Sequence, residues 1–119
     1  MSWINSTHSA LLERFLDVNS MRQTLVTTNL ANVDTPGYHT RDIDFRGELQ
    51  RAMNGDDTSF TSPFVLPVRG LTARPDGNNV SVDRESLLLG EVQLQFKAAA
   101  AILRAHFAQL NTAIKEGQS

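Results

Sequence analysis

The sequence contains no cysteine among its 119 residues. A chain of this composition cannot form disulfides, bind zinc through thiolates or attack a substrate with a thiol. Its stability must come from packing, and its length allows one domain with a modest core. The absence of cysteine leaves the compartment open, because such a chain suits reducing and oxidising surroundings alike.

Several other signals of function are missing. No stretch approaches the roughly 20 apolar residues of a membrane span, and the first residues lack the basic and apolar regions of a signal peptide. The formal net charge is -2, and the scattered cations form no basic stripe for nucleic acid. No local signature of hydrolysis or nucleotide chemistry is present. We expect no enzyme activity, cofactor, nucleic acid or small-molecule substrate.

Proline and glycine are scarce at both ends of the chain. All four prolines and five of the seven glycines lie between positions 36 and 77. Because proline costs about 3 kcal/mol and glycine about 1 kcal/mol in a helix interior, this distribution predicts helical ends and a non-helical middle. We predict a mainly α fold that forms one structural unit. Its segments are an N-terminal helix and turn (1–37), an extended or β-rich middle (38–82) and a C-terminal helix (83–119).

The N-terminal helix is predicted over about residues 5–33. Its apolar stripe at helical spacing includes Leu11, Phe15, Val18 and Leu25. Pro36 disfavours helical backbone in the residue before it, and Pro36 and Gly37 suit the two central positions of a type II turn. The helix should therefore end before a turn at residues 35–38.

The C-terminal helix is predicted to begin near Asp83, a residue type favoured at the N-cap, and to run to about Lys115. One apolar line on this helix lies within about 60° on a helical wheel. Its members are Leu89, Val92, Phe96, Leu103, Phe107, Leu110 and Ile114. This line should pack on the N-terminal helix, so the two helices are predicted to form an antiparallel coiled-coil-like hairpin.

The opposite side of the same helix carries a second, heptad-like series made largely of small residues. We call it the small-residue seam: Leu87, Leu94, Ala98, Ala101, Ala105, Ala108 and Thr112. A helix with two such faces has two sets of neighbours, and the second set is predicted to be another subunit. The alternative is that alanine simply favours helix and tolerates exposure.

The middle segment has short apolar runs broken by proline and glycine, which suggests strands or extended loop. Some 45 residues are too many for a plain loop in a compact domain. The segment is therefore either a small β-rich module or a piece that orders only on assembly, and we favour the second.

Polar residues in two places invite a functional interpretation. His39, Asp42 and Asp44 could form a metal or acid-base site, but their spacing is weakly specific and a half-buried strand with a solvated side explains them better. Arg22 and Asn29 fall within the apolar stripe of the first helix, where an unpaired polar group is costly. They need a partner across an interface or contact with solvent, and both options stay open.

The end of the first helix carries a specific motif, Asn-Leu-Ala-Asn-Val-Asp-Thr-Pro-Gly-Tyr at 29–38. It resembles the signature of the rod and hook axial proteins of the bacterial flagellum, and Arg41-Asp42-Ile43-Asp44-Phe45 and the segment 76–85 are similar to FlgB-type proximal rod proteins. Ser81 departs from the family pattern, which usually has Asp there. The resemblance marks as signature residues Asn29, Ala31, Asn32, Thr35, Pro36, Gly37 and Tyr38.

The resemblance implies a structural subunit that polymerises through its terminal helices into the rod of the flagellar basal body, which transmits torque and houses the export channel. It implies export without a cleaved signal peptide and a periplasmic location. The implied partners are copies of itself, FlgC-type rod subunits, the adaptor at the rod base and the membrane ring with its export gate. The alternative is a soluble helical adaptor or export-chaperone-like module that binds one partner and never polymerises.

Overall fold

The computed structural model describes residues 2–55 and 63–117, with the side chains of the first helix from residue 10 onward. Its elements, in chain order, are α1 (Ser2–Ala31), β1 (Arg41–Ile43), α2 (Phe45–Met53), β2 (Val65–Pro67) and α3 (Val82–Gly117). The molecule is elongated, 70 × 26 × 19 Å, because helices of 30 and 36 residues determine its length. The prediction of a mainly α fold with two long terminal helices is confirmed.

The turn after α1 has the predicted geometry. The backbone N–H of Tyr38 donates to the carbonyl oxygen of Thr35 at 3.2 Å, and Gly37 has a φ of 75°, as the third residue of a type II turn requires. A second turn lies against it: Gly37 N–H donates to Asp76 O at 2.9 Å, and a Cβ on Gly77 would lie 3.3 Å from Gly37 Cα. The two turns therefore contact each other through backbone that only glycine leaves open.

The middle segment differs from the β-rich prediction. Its strands are only three residues each and pair antiparallel, with Arg41 opposite Pro67, and they are joined through the helix α2. Asp44 does not share a strand face with Asp42, because its side chain accepts the N–H of Gly47 at 3.2 Å and caps α2. α2 was not predicted, because this short helix contains a glycine and buries a glutamate. Residues 56–62 of this segment lie outside the described residues.

The N-cap of α3 also differs from the prediction. The helix begins at Val82, and the Oγ of Ser81 accepts the N–H of Arg84 at 3.2 Å. Ser81 is therefore the N-cap, and Asp83 lies within the first turn, where its charge complements the helix dipole.

α1 lies between two sets of neighbours. It contacts α3 and also α2 and β1, whereas α3 packs on α1 and, among the described elements, otherwise meets only β1, through the side chain of Arg84. Val18 and Val26 of α1 are buried, and Phe15 meets Phe45 of α2 edge to face, with 5.4 Å between ring centroids. Within one chain, α1 thus has the larger set of packed neighbours, and α3 packs mainly on α1.

α3 is covered by α1 along a narrow side. Val92 and Ala99 are buried there. The small side chain of Ala99 leaves room for α1 to approach α3 closely. Of the line predicted to pack within the chain, Phe96, Phe107 and Ile114 remain 40%, 49% and 58% exposed. The other predicted packing residues are half-buried: Leu11, Phe15, Leu25, Leu89, Leu103 and Leu110. The single chain therefore covers this line only in part.

The close approach at position 99 should make that site sensitive to size. We expect Ala99→Leu to lower the free energy of unfolding by about 1–3 kcal/mol, because extra methylenes must be forced between α1 and α3. The control is the same change at the adjacent exposed alanine, Ala98→Leu, which should stay within about 0.5 kcal/mol of wild type. Urea unfolding measures both, and equal effects at the two positions would contradict this packing.

Candidate functional site

The end of α1 and the start of α3 meet around the side chain of Asn29, which is fully buried. Its amide nitrogen donates to the backbone oxygen of Arg41 at 2.8 Å and to the carboxylate of Glu85 at 3.1 Å. Its oxygen accepts the hydroxyl of Tyr38 at 2.8 Å and the backbone N–H of Arg41 at 3.2 Å. One side chain thus joins α1, the turn after it, β1 and α3.

Tyr38 acts as a hydrogen-bond donor in this cluster. Burial raises the pKa of its hydroxyl, the nearby Arg41 lowers it, and the Glu85 carboxylate raises it again, so that the net shift is upward. The phenol therefore keeps its proton and its bond to Asn29 through the neutral pH range.

A second asparagine fastens the turn to the segment before α3. The amide nitrogen of Asn78 donates to the carbonyl oxygens of Asn32 and Thr35 at 2.8 and 2.9 Å, and Thr35 Oγ1 donates to Asn32 Oδ1 at 3.0 Å. Arg74 donates to Val33 O in the same region. Asn29, Asn32, Thr35 and Tyr38 of the 29–38 motif therefore take part in the contacts that hold the end of α1 against the turn, β1 and the residues before and at the start of α3, whereas Ala31 is exposed.

An ion cluster adjoins Asn29. The guanidinium of Arg22 donates to both carboxylate oxygens of Asp42, at 3.0 and 3.1 Å, and Arg84 donates to Asp42 at 2.9 Å. Arg84 also pairs with the buried Glu85. Burial raises the pKa of Asp42, but the hydrogen bonds and charges of Arg22, with the Ile43 N–H and Arg84, outweigh it and lower the pKa overall. Arg22 and Asn29, left open above, thus both have partners within the chain.

A further ion cluster joins the middle segment to α1. Glu48 of α2 is buried and accepts from Arg14 of α1 at 3.1 Å, from Arg51 and from the backbone N–H of Phe64 at 3.0 Å. Burial raises the pKa of Glu48, and these donors lower it by more. The middle segment is therefore attached to α1 by charged contacts as well as by the Phe15–Phe45 ring pair.

The residues considered for metal or acid-base chemistry do not converge. Asp42 binds two arginines, Asp44 caps α2, and His39 is exposed. Among the residues that the structure describes, no group of three or more His, Asp or Glu side chains could bind a metal ion. These carboxylates serve to position helices.

Most of the large apolar side chains that are exposed among the described residues lie on α3. Leu87 and Leu94 are 74% and 71% exposed, and the alanines of the small-residue seam, Ala98, Ala101, Ala105 and Ala108, are exposed as well. Contrary to the sequence expectation, α3 is long and apolar enough to cross a membrane by length and composition, with 11% of its most apolar window buried. Exposed apolar surface of this extent is typical of contact sites.

Sequence reasoning missed several residues of these clusters as contact partners, among them Glu48, Asn78 and Arg84. The sequence does indicate that Glu85, the residue after Arg84, needs a partner, because this acid falls on the apolar line of α3, where a charge is costly to bury alone. No local pattern indicated the contact of Glu48, since its partner Arg14 on α1 is 34 residues away in sequence.

An elongated helical chain whose ion clusters and buried asparagine amides connect its own elements, and whose longest helix is largely uncovered, defines a structural protein that assembles with others. No family model matches the sequence. The chain is 32% identical to the flagellar basal body rod protein FlgB of Escherichia coli over 86% of its length and 88% of the relative. For the FlgB proteins of Borrelia hermsii and Cereibacter sphaeroides the identities are 32% and 33%, over 88% and 84% of this chain and 93% and 88% of the relatives.

The chain therefore belongs to the FlgB family of flagellar basal body rod proteins, which are structural proteins and not enzymes.

The buried amide of Asn29 should be sensitive to a change of a single atom. Asn29→Asp keeps the shape but removes the donor to Glu85 and places two carboxylates together, so we expect a loss of about 3 kcal/mol in the free energy of unfolding. The control is Asn111→Asp at an exposed position of α3, expected within about 0.5 kcal/mol of wild type. Denaturant unfolding at neutral pH measures both, and a neutral Asn29→Asp would refute the role of this bond.

Acid should weaken the two ion clusters. Because the pKa values of Asp42 and Glu48 are lowered in the fold, their stabilisation is complete above the unfolded carboxyl pKa of about 4 and is lost as the pH falls through the folded values. We expect the wild type to have a higher free energy of unfolding than the double variant Asp42→Asn, Glu48→Gln at neutral pH. This difference, the stability gap, should narrow below about pH 4. Urea unfolding across that range measures the gap, with exposed Asp34→Asn as control. A gap independent of pH would contradict the assignment.

Proposed function

We propose that this protein is a structural subunit of the proximal rod, which polymerises through its terminal helices into the shaft that transmits torque and surrounds the export channel. The observation that carries the proposal is the uncovered apolar surface of α3, which packs mainly on α1. Membership in a family of flagellar rod proteins also supports this proposal.

In this proposal α1 and α3 form an antiparallel coiled-coil-like hairpin. Asn29 near the end of α1 bonds Glu85 near the start of α3, which brings those two helix ends together. Charged and amide groups at that end determine the register of the two helices, because a shift by one residue would leave buried polar groups unpaired. A rigid register suits a subunit that must carry load.

The small-residue seam then contacts neighbouring subunits. Alanine side chains allow helix backbones to approach closely, and many shallow contacts together resist shear better than isolated surface ion pairs, each worth under about 1 kcal/mol. The neighbours are further copies of this chain, FlgC-type rod subunits, and the adaptor and membrane ring with the export gate at the rod base. The subunit reaches the periplasm through that gate without a cleaved signal peptide.

A charge in the seam should block assembly. We expect Ala105→Glu to be exported normally but to reduce the protein in purified basal bodies, and motility with it, by about tenfold, because a carboxylate would be buried without a partner. The control is Gln50→Glu, which adds the same charge at an exposed position of α2, away from α3, and should assemble normally.

Two outcomes would count against the proposal. Normal rods and motility with Ala105→Glu would refute the seam. A wild-type protein that stays cytoplasmic and is missing from purified basal bodies would refute the rod function and favour the adaptor.

A further inference from the structure

α1 turns a polar, acidic side away from its neighbours in the chain. We call this surface the outer face of α1. Its exposed residues are Ala10, Glu13, Asp17, Ser20, Met21, Thr24, Thr27, Thr28 and Ala31. The face carries two acids and no base, and neither Glu13 nor Asp17 forms an ion pair within the part of the chain that the structure describes.

α3 exposes the opposite charge. Lys97 and Arg104 are both exposed, and a spacing of seven residues puts them on one side of the helix, which we call the basic line of α3. It runs between the partly exposed Phe96 and Phe107 on one flank and the small-residue seam on the other. Neither cation has an ion-pair partner among the described residues. Charge and exposed aromatic surface thus occur side by side.

We propose that the outer face of α1 in one copy docks on the basic line of α3 in a second copy of this chain. The inference rests on the proposed function and adds which two surfaces meet. Glu13 and Asp17 are one helical turn apart, about 6 Å, and Lys97 and Arg104 are two turns apart, about 10 Å. The long, flexible stems of lysine and arginine cover that difference.

The apolar groups supply the area that such a contact buries. Phe96 and Phe107 border the basic line, and Met21 of the outer face is 39% exposed. Burying aromatic and methionine side chains stabilises a contact in proportion to the area removed from water. The charges then select the partner and its orientation, since complementary potentials favour correct pairing and like charges oppose it.

The same charges oppose symmetric pairing. Two copies joined through their basic lines would bring Lys97 and Arg104 against the same residues of the other copy. Two copies joined through their outer faces would bring Glu13 and Asp17 against the same acids. A contact between two different faces is heterologous, and it adds copies head to tail into a ring or an open helix. The charge distribution of this chain therefore favours a growing polymer over a closed dimer.

Charge reversal tests the contact. We expect Glu13→Lys with Asp17→Lys, and separately Lys97→Glu with Arg104→Glu, each to reduce the protein in purified basal bodies by about tenfold, or about 1.4 kcal/mol. Combining all four changes restores opposite charges across the contact and should recover assembly. The control, Asp34→Lys with Arg69→Glu, reverses two exposed charges in loops and should assemble normally. Circular dichroism and urea midpoints identical to wild type verify the fold of each variant.

Cross-linking gives a second, direct measurement, because the chain has no cysteine of its own. Cells that co-express Asp17→Cys and Lys97→Cys chains should yield a cross-linked dimer with a short bismaleimide. Cells expressing either variant alone should not.

Three results would overturn the contact: wild-type assembly of both charge-reversed pairs, no recovery in the fourfold variant, or no mixed dimer in basal bodies that contain both cysteine variants. If Ala105→Glu blocks assembly while the charge variants assemble normally, the rod function stands and this contact is wrong. If the wild-type protein is missing from basal bodies, the rod function itself fails.

Discussion

The fully buried amide of Asn29 is the contact on which the arrangement of the two long helices depends. It satisfies a backbone N–H and a carbonyl of Arg41, a tyrosine hydroxyl and a buried carboxylate, so every neighbour would lose a partner if the helices moved apart or slipped. Apolar contacts such as those of Val18 and Val92 tolerate small shifts, but hydrogen bonds depend on distance and angle. The polar end of the molecule therefore determines the register that the apolar contacts stabilise.

Charged contacts likewise attach the middle segment to α1. Arg22 with Asp42 and Arg14 with Glu48 connect β1 and α2 to α1, and each carboxylate has more than one donor. Such pairs break at a high cost because the remaining charge is left buried. They also explain why α1, although it is the shorter of the two long helices, packs against α2 and β1 as well as α3.

α3 illustrates the division between folding and assembly. Its first turns belong to the buried polar cluster through Glu85, and its later turns expose Phe107, Ile114 and the small-residue seam. A short chain cannot cover a helix of 36 residues with one partner helix and a small middle segment. The apolar surface of α3 that stays exposed is available for contacts between subunits.

The sequence by itself determined the two terminal helices, the turn with its positive-φ glycine and the family, because proline, glycine and apolar spacing act through local backbone preference. Only the tertiary structure decided how much of α3 is covered by α1, that Ser81 and not Asp83 is the N-cap, and that α2 exists. It also decided the partners of Arg22, Asn29 and Glu48. They include contacts between residues 12 to 56 positions apart, and no local pattern encodes which distant group will satisfy a buried charge or amide.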